Sequence, residues 1–524
     1  MTAAPPAAPP ATLPPLHGVA LLLGTLSLSL ATFMNVLDSS IANVSIPAIA
    51  GDLGVSPGQG TWVITSFGVA NAISVPLTGW LTQRFGAVRL FTLSVLLFVL
   101  TSWLCGFATS LEMLIVGRVL QGLVAGPMIP LSQTLLLSSY PRAKAGTALA
   151  LWGVTTLVAP VVGPLLGGWI TDNVSWPWIF YINVPIGLLA AALTWSIYRH
   201  RETPTRKAPI DTVGLTLLVL WVGALQLMLD KGKELDWFAS NEIIGLAIVA
   251  AVAFAVFVVW ELTAEHPVVD LRLFGRRNFA FGVLALSVAY GLFFGNVVLL
   301  PLWLQQWMGY TATSAGMALA PVGLFAILLT PLVGKKVGVW DPRRMATAAF
   351  IVFATVLWMR SQFTTQTDFM HILVPTLIQG GAMALFFIPL TTLTLAGLTP
   401  DRIPAAAGLS NFVRITAGAM GTSIATTLWE SRAAMHHAHL TEPLVQGQGT
   451  FAATLDALQA AGLSTAQALA QVNQLINQQA FTRAADDIFM GSAGIFLALI
   501  GLIWLTRRPP RMGGAGAADA GGAH

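Results

Sequence analysis

The chain has 524 residues, of which 55% are hydrophobic and only 9% charged, and its mean hydropathy is +0.75. A soluble domain carries roughly 25% charged residues, so the composition excludes a water-soluble globular protein and points to a polytopic membrane protein. The net charge of +4 needs no nucleic acid, because the basic residues sort by topology, and a single Cys105 excludes an intrachain disulfide.

The Pro/Ala-rich start, residues 1–16, has no basic n-region and reads as a disordered cytoplasmic tail. Spans of about 20 apolar residues are then expected. Fourteen are placed, beginning near residues 17, 61, 87, 112, 145, 178, 211, 241, 279, 313, 343, 370, 405 and 487. With the N-terminus inside, Arg84, Arg89, Arg142, Lys144, Arg199, Arg201, Arg206, Lys207, Arg272, Arg276, Arg277, Lys335, Lys336, Arg343, Arg344, Arg402, Arg507, Arg508 and Arg511 fall on one side. Only Lys231, Lys233, Arg432 and Arg483 fall in loops on the other, so both termini are expected in the cytoplasm. The expected units are a six-span bundle over 17–200, a linker with two inserted spans over 201–270, and a second bundle over 271–510. The second bundle holds a long periplasmic loop at 430–487, and a disordered tail follows at 511–524.

The first span carries Asp38, flanked by Asn35, Ser39, Ser40 and Asn43. No other span interior is expected to hold an acid. A carboxylate in hydrocarbon must find a partner, face a cavity or bind a proton, so Asp38 is the candidate proton site. The alternative is a helix-packing carboxylate satisfied by neighbouring hydroxyls and amides. The second span ends in a glycine-bounded basic turn with Gly79, Arg84, Gly86 and Arg89. The fourth carries Arg118 and then Gln121-Gly122; a guanidinium does not deprotonate and must have a partner or a wet cavity. Helix-depth arithmetic puts Asp38 and Arg118 roughly 14 and 9 Å from the outer surface, which allows contact. The fifth span carries Gly153, Pro160, Gly163, Pro164, Gly167 and Gly168, where small residues permit close helix approach and prolines remove backbone bonds. Asn35, Asn43, Gln121, Gln379, Asn411 and Arg414 are candidate cavity-lining residues.

The chain repeats itself. Pro76–Gly79 matches Pro331–Gly334, Gln121-Gly122 matches Gln379-Gly380, and Ala145-Gly146 matches Ala407-Gly408, at offsets of about 255 to 262 residues. A parallel repeat puts two six-helix halves about an axis along the membrane normal. Arg118 then falls opposite Thr376, and Asp38 opposite an apolar region near Phe293, so proton chemistry is assigned to the first half.

The turn Gly79–Arg89 resembles the loop 2–3 signature of the major facilitator superfamily, though Gln83 stands where that signature has an acid. Arg118 in its Gln121-Gly122 setting resembles the superfamily's helix 4 arginine, associated with proton transfer. The Gly153–Gly168 segment resembles its antiporter signature. With Leu37–Val44, Trp176–Gly187, Glu265–Leu271 and Ser431–His437, the chain resembles the EmrB-type fourteen-span drug:proton antiporters over nearly its whole length. The resemblance implies an all-α major facilitator fold with 6+2+6 spans. It also implies proton-coupled multidrug efflux by alternating access from a bacterial inner membrane, with no cofactor beyond the proton gradient. It further implies a periplasmic adaptor of the EmrA type and an outer-membrane channel. A dedicated exporter of an endogenous metabolite or siderophore, and a receptor or scaffold that lost transport, are the alternatives. No enzyme activity and no metal site are expected.

Within the long loop, Phe451–Ala461 reads as a helix stopped by Gly462. Ser464 and Gln467 make a capping box, followed by an apolar stripe of Leu469, Val472 and Ile476. This helix is expected to run into the last span and either dock a helical partner or lie flat on the membrane.

Overall fold

The computed structural model describes residues 14–141, 145–205, 209–232, 234–265, 267–336, 340–398, 402–445 and 449–508. Most of the two tails, and Arg142, Lys144, Arg206, Lys207, Lys233, His266 and Arg511, lie outside the described residues. All regular structure among the described residues is helical.

The first six long helices are α1 (Gly18–Ile41), α2 (Pro57–Phe85), α3 (Ala87–Gly106), α4 (Leu111–Ser139), α5 (Ala145–Asn173) and α6 (Trp178–Tyr198). An inserted pair follows, α7 (Thr212–Lys231) and α8 (Asn241–Thr263). The last six are α9 (Arg277–Trp307), α10 (Ala312–Leu319 passing into Pro321–Lys336), α11 (Pro342–Arg360), α12 (Phe369–Leu395), α13 (Ile403–Val445) and α14 (Thr465–Trp504). Among the described residues, 11 segments are long and apolar enough to cross a membrane. Together with α5, α11 and α13, which run among them, they give the 6+2+6 arrangement.

Short polar caps start these helices. Ser110 accepts from Met113 N at α4, Asp211 from Gly214 N at α7, Asp341 from Arg343 N at α11, and Asp368 from His371 N at α12. Each satisfies an amide that the first turn leaves free. Gly86 stands at φ +88°, a backbone that L side chains rarely adopt, and a Cβ there would strike Glu202. Glu202 in turn accepts from Val88 N (3.0 Å) and Arg89 N (2.9 Å), so it caps α3. The acid missing at Gln83 is therefore matched by one from the loop after α6.

The helix pairings repeat. In the first half α1 packs on α5 and α6, α2 on α4, and α3 on α4 and α6. In the second half α9 packs on α13 and α14, α10 on α12, and α11 on α12 and α14. Two seams join the halves, α5 against α10 and α2 against α13, and each is the symmetry mate of the other. The inserted α7 packs on α2 and α13, so it covers one seam only.

In the long loop the capped helix runs into the last span as expected, but the end of α13 differs from its expected form. Helix α13 does not end near the membrane surface but continues to Val445, and α14 begins already at Thr465. Helices of 43 and 40 residues are about 65 and 60 Å long, twice the hydrocarbon thickness. They pack on one another as an antiparallel hairpin, with a short helix, Gly449–Ala460, near its tip. Gly462 follows that short helix at φ +95°, and the Ser464–Gln467 capping box is formed in both directions. The buried stripe is Ala468, Val472 and Ala480 with half-buried Ile476. Leu469 is exposed, because the face turned to α13 begins one residue earlier.

Candidate functional site

Asp38 sits one turn before the end of α1 and is fully buried. Three side chains from two other helices reach it. Arg118 Nη1 donates to Oδ2 at 2.5 Å, Gln121 Nε2 donates to Oδ1 at 3.1 Å, and Asn183 Nδ2 donates to Oδ1 at 2.7 Å. The guanidinium is held in turn. Arg118 Nε donates to the Val63 carbonyl (2.8 Å), its Nη1 also donates to Gln121 Oε1 (2.6 Å), and its plane lies 4.2 Å from the Phe67 ring centroid. Asn183 Nδ2 also reaches Ser102 Oγ on α3 at 2.9 Å. Five polar residues from α1, α3, α4 and α6 thus form one network inside the first half.

An ionised carboxylate only accepts, and here it accepts from all three donors. A protonated Asp38 carries one O–H donor and accepts more weakly, so proton binding weakens its hold on Arg118, Gln121 and Asn183. Removing one partner of such a buried pair leaves an uncompensated charge and is strongly destabilising, about 3–5 kcal/mol. The network therefore ties α1, α3, α4 and α6 together through one buried carboxylate.

The glycine segment of α5 lies against this network. A Cβ at Gly163 would strike Ser40, and one at Gly167 would strike the Ile41 carbonyl, two and three residues from Asp38. On the opposite side, a Cβ at Gly168 would strike the Ala312 carbonyl of α10, and one at Gly316 would strike the Pro164 carbonyl. Helix α5 is thus in backbone contact with the helix of Asp38 and with the other half. Gly153 and Pro160 lie outside the residues described in full. Of the loop 2–3 residues, Gly79 has open space around it, Arg84 is exposed, and Arg89 approaches Glu202 at 4.0 Å.

Three of the expected cavity residues are placed otherwise. Asn35 donates to the Ala125 carbonyl (3.2 Å), Gln121 belongs to the Asp38 network, and Gln379 accepts from Arg360 (2.7 Å). All three are buried in helix contacts, because an amide in a span bonds the nearest polar group. Asn43 is also buried, and its Oδ1 has no hydrogen-bond partner among the described residues. Arg414 and Asn411 are half-buried and bonded to each other (3.1 Å), with the guanidinium 4.5 Å from the Tyr290 ring centroid.

The repeat sharpens this picture. The offset of 258 residues that carries Arg118 to Thr376 (376 − 118) also carries Gln121 to Gln379, Ser102 to Arg360 and Asp38 to Asn296. The mate of Asp38 is thus a buried amide rather than the expected apolar stretch near Phe293; a register three residues off conceals it. Arg360 is fully buried and donates to Thr376 Oγ1 (3.0 Å) and Gln379 Oε1. The second half thus keeps the polar positions and a cation but has lost the acid. Sequence reasoning missed Asn183, Ser102 and Arg360 as members of these networks. The common offset was the signal that could have found the last two.

Two pseudo-symmetric six-helix halves, the first of which buries an acid–guanidinium pair, define a facilitator-type membrane transporter. The sequence matches the Major Facilitator Superfamily over residues 28–422. It is 54% identical to the Multidrug export protein EmrB of Escherichia coli K12, over 97% of this chain and 99% of that one. It is 50% identical to the Fatty acid resistance protein FarB of Neisseria gonorrhoeae, over 96% and 98%. The chain belongs to the major facilitator superfamily, among its EmrB-type multidrug efflux transporters. In fold it resembles a bacterial homolog of the lysosomal transporter Spinster in an inward-facing, unoccupied conformation, with TM-score 0.60 and 15% identity over 94% of this chain and 100% of that one. It also resembles an auto-inhibited POT family peptide transporter, with TM-score 0.61 and 14% identity over 93% and 96%.

Proposed function

We propose that this multi-pass transporter exports hydrophobic compounds in exchange for protons, with Asp38 as the coupling acid and Arg118 as the group that tunes its proton affinity. The observation that carries this reading is the fully buried Asp38–Arg118–Gln121–Asn183 network, set directly against the glycine face of α5. A proton arriving at Asp38 loosens α4 and α6 from α1, and α5 passes that change to α10. Both termini are cytoplasmic in this reading, because the arginines at the ends of α2, α6 and α14 and at the starts of α9 and α11 share one side. Alternating access then moves substrate between the halves.

Neutral or weakly acidic hydrophobic substrates are favoured over dications. The second half presents half-buried Arg414 beside Tyr290, and a dication would want buried carboxylates rather than a guanidinium there. The name of the FarB relative, a fatty acid resistance protein, accords with an acidic substrate. The hairpin of α13 and α14 supplies a docking post for a periplasmic adaptor of the EmrA type, leading to an outer-membrane channel. Over residues 465–482 the exposed face of α14 carries Gln467, Gln471 and Gln474 and no Asp, Glu, Lys or Arg, which suits helix-on-helix packing.

Asp38→Asn in proteoliposomes tests the coupling. The variant should bind drug but show no drug-driven proton flux, a loss of at least about 100-fold, since the amide neither pairs with Arg118 nor titrates. Drug concentrated against a gradient by this variant would sink the assignment.

A further inference from the structure

The inserted pair α7–α8 has no counterpart in either half, yet one of its side chains joins them. Asp230 stands in the last turn of α7, at the outer end. Its Oδ2 accepts from Thr65 Oγ1 of α2 at 3.2 Å, and its Oδ1 accepts from Ser423 Oγ of α13. Gln226 Nε2, one turn earlier on α7, donates to both oxygens at 3.0 Å and also to Ser423 Oγ at 2.6 Å. Thr65, Gln226 and Ser423 are all buried. No cation pairs with Asp230 among the described residues; its neighbour Lys231 bonds Glu242 at 3.1 Å.

Three neutral donors on three helices therefore hold one negative charge, and two of those helices belong to opposite halves. Helices α2 and α13 form one of the two seams that must open for substrate to leave outward. The other seam carries its own ties at the same end, where Thr313 N of α10 donates to Asp172 of α5 at 2.6 Å and Gln305 Nε2 of α9 donates to the Val44 carbonyl at 2.9 Å. Both seams are thus tied by hydrogen bonds at the outer side. Separating α2 from α13 strips Thr65 or Ser423 from a carboxylate that has no cation to fall back on.

We propose that Asp230 is the outer latch of the transport cycle, a positioning residue through which the inserted helix pair ties α2 to α13 while the outer side is closed. The proposal rests on alternating access. In it, the inserted pair sets how readily the outer side opens.

The test uses the full-length chain in nanodiscs, spin-labelled at Val174→Cys and Gln366→Cys in the outer loops of opposite halves. Both positions are exposed, and native Cys105 is fully buried and stays unlabelled. Distances are measured by pulsed electron paramagnetic resonance, with and without drug and at two pH values. Asp230→Ala should raise the ratio of long to short distances about tenfold or more, as expected when a half-buried carboxylate held by three donors is lost. Thr65→Val and Ser423→Ala should each raise it in part, and neither should add anything in the Asp230→Ala background. Glu234→Gln, which removes an exposed acid one turn further on, should change nothing. If Asp230→Ala does not reach the membrane, the two hydroxyl deletions carry the test. Distances that respond to drug or pH in the parent but are unchanged in Asp230→Ala and in the Thr65→Val/Ser423→Ala double variant would overturn the latch alone. Distances that nothing moves in the parent would overturn alternating access, and the latch with it.

Discussion

At the scale of single residues, Asp38 and Asp341 each have both carboxylate oxygens bonded. Asp341 shows the saturated case outside the membrane. It caps α11 through Arg343 N (3.0 Å), pairs with Arg343 Nη2 (2.9 Å), and lies 3.7 Å from Arg508 beyond the end of α14. Burial pushes its carboxyl up, but the Arg343 hydrogen bonds and the two guanidinium charges outweigh that and hold it below its ordinary 3.8. A carboxyl lowered on folding stabilises the fold above its unfolded pKa and ceases to as the pH falls through the folded one. Asp341→Asn should therefore cost about 0.5–1 kcal/mol at pH 7, discounted for partial exposure. The gap in melting temperature between the two proteins should close as the pH drops below 3.8. A gap that stays constant across that window would show that the cap acts without its charge. The same rule made part of the inner network legible in the sequence: an ion in hydrocarbon must have a partner, so Asp38 and Arg118 stood out. Asn183 and Ser102 did not, because a lone amide or hydroxyl in a span bonds whatever is near and nothing in its local pattern names that group.

At the scale of helices, α5 is the clearest case of sequence dictating contact. Its glycines foretold close approach, and the structure adds what they approach: α1 beside Asp38 on one face, α10 on the other. Gly167→Val should push α5 off the Ile41 carbonyl. Drug-driven proton flux should fall at least about tenfold while the protein still inserts and purifies, because overpacking costs only about 1–3 kcal/mol. Full flux in this variant would show that the contact is not part of coupling. The hairpin was half legible. The capping box and the glycine stop were there to be read, but the outward continuation of α13 was not, since His436, His437 and His439 look like a loop until they are set against α14. In the fold, His437 meets Asn473 (3.1 Å) and His436 meets Asp487 (2.9 Å) across the hairpin. Deleting Thr450–Gln479 should leave proton-coupled transport in proteoliposomes within about twofold and abolish co-purification with the adaptor, because that segment lies beyond the bilayer. An adaptor that still co-purifies, with full resistance in cells, would move the docking site elsewhere.

At the scale of the whole molecule, the two halves are related by one offset through four polar positions and by matching helix pairings. Three short matched motifs were enough to expose the repeat but not its register, since dipeptides leave several residues of play. The proposed orientation rests on charge, and it is directly checkable. Arg344→Cys should react with an impermeant maleimide only from the cytoplasmic side, and Gln366→Cys only from the periplasmic side; both positions are exposed and close to helix ends. The reverse pattern would invert the topology and with it the direction of export.

The hairpin has a mechanical side. Both of its helices are also membrane-embedded helices of the second half, and its base meets the first half where Glu430 stands against Gly58. In the proposed alternating-access cycle it is a stiff pointer carried by the second half, and every helical turn beyond the membrane adds about 5.4 Å to its arm. A small tilt of the second half becomes a larger sweep at the tip. An adaptor docked there, as proposed, would be dragged sideways once per cycle, so a duct fixed to it would need a compliant joint at that point, or it would hold the pump in one stroke.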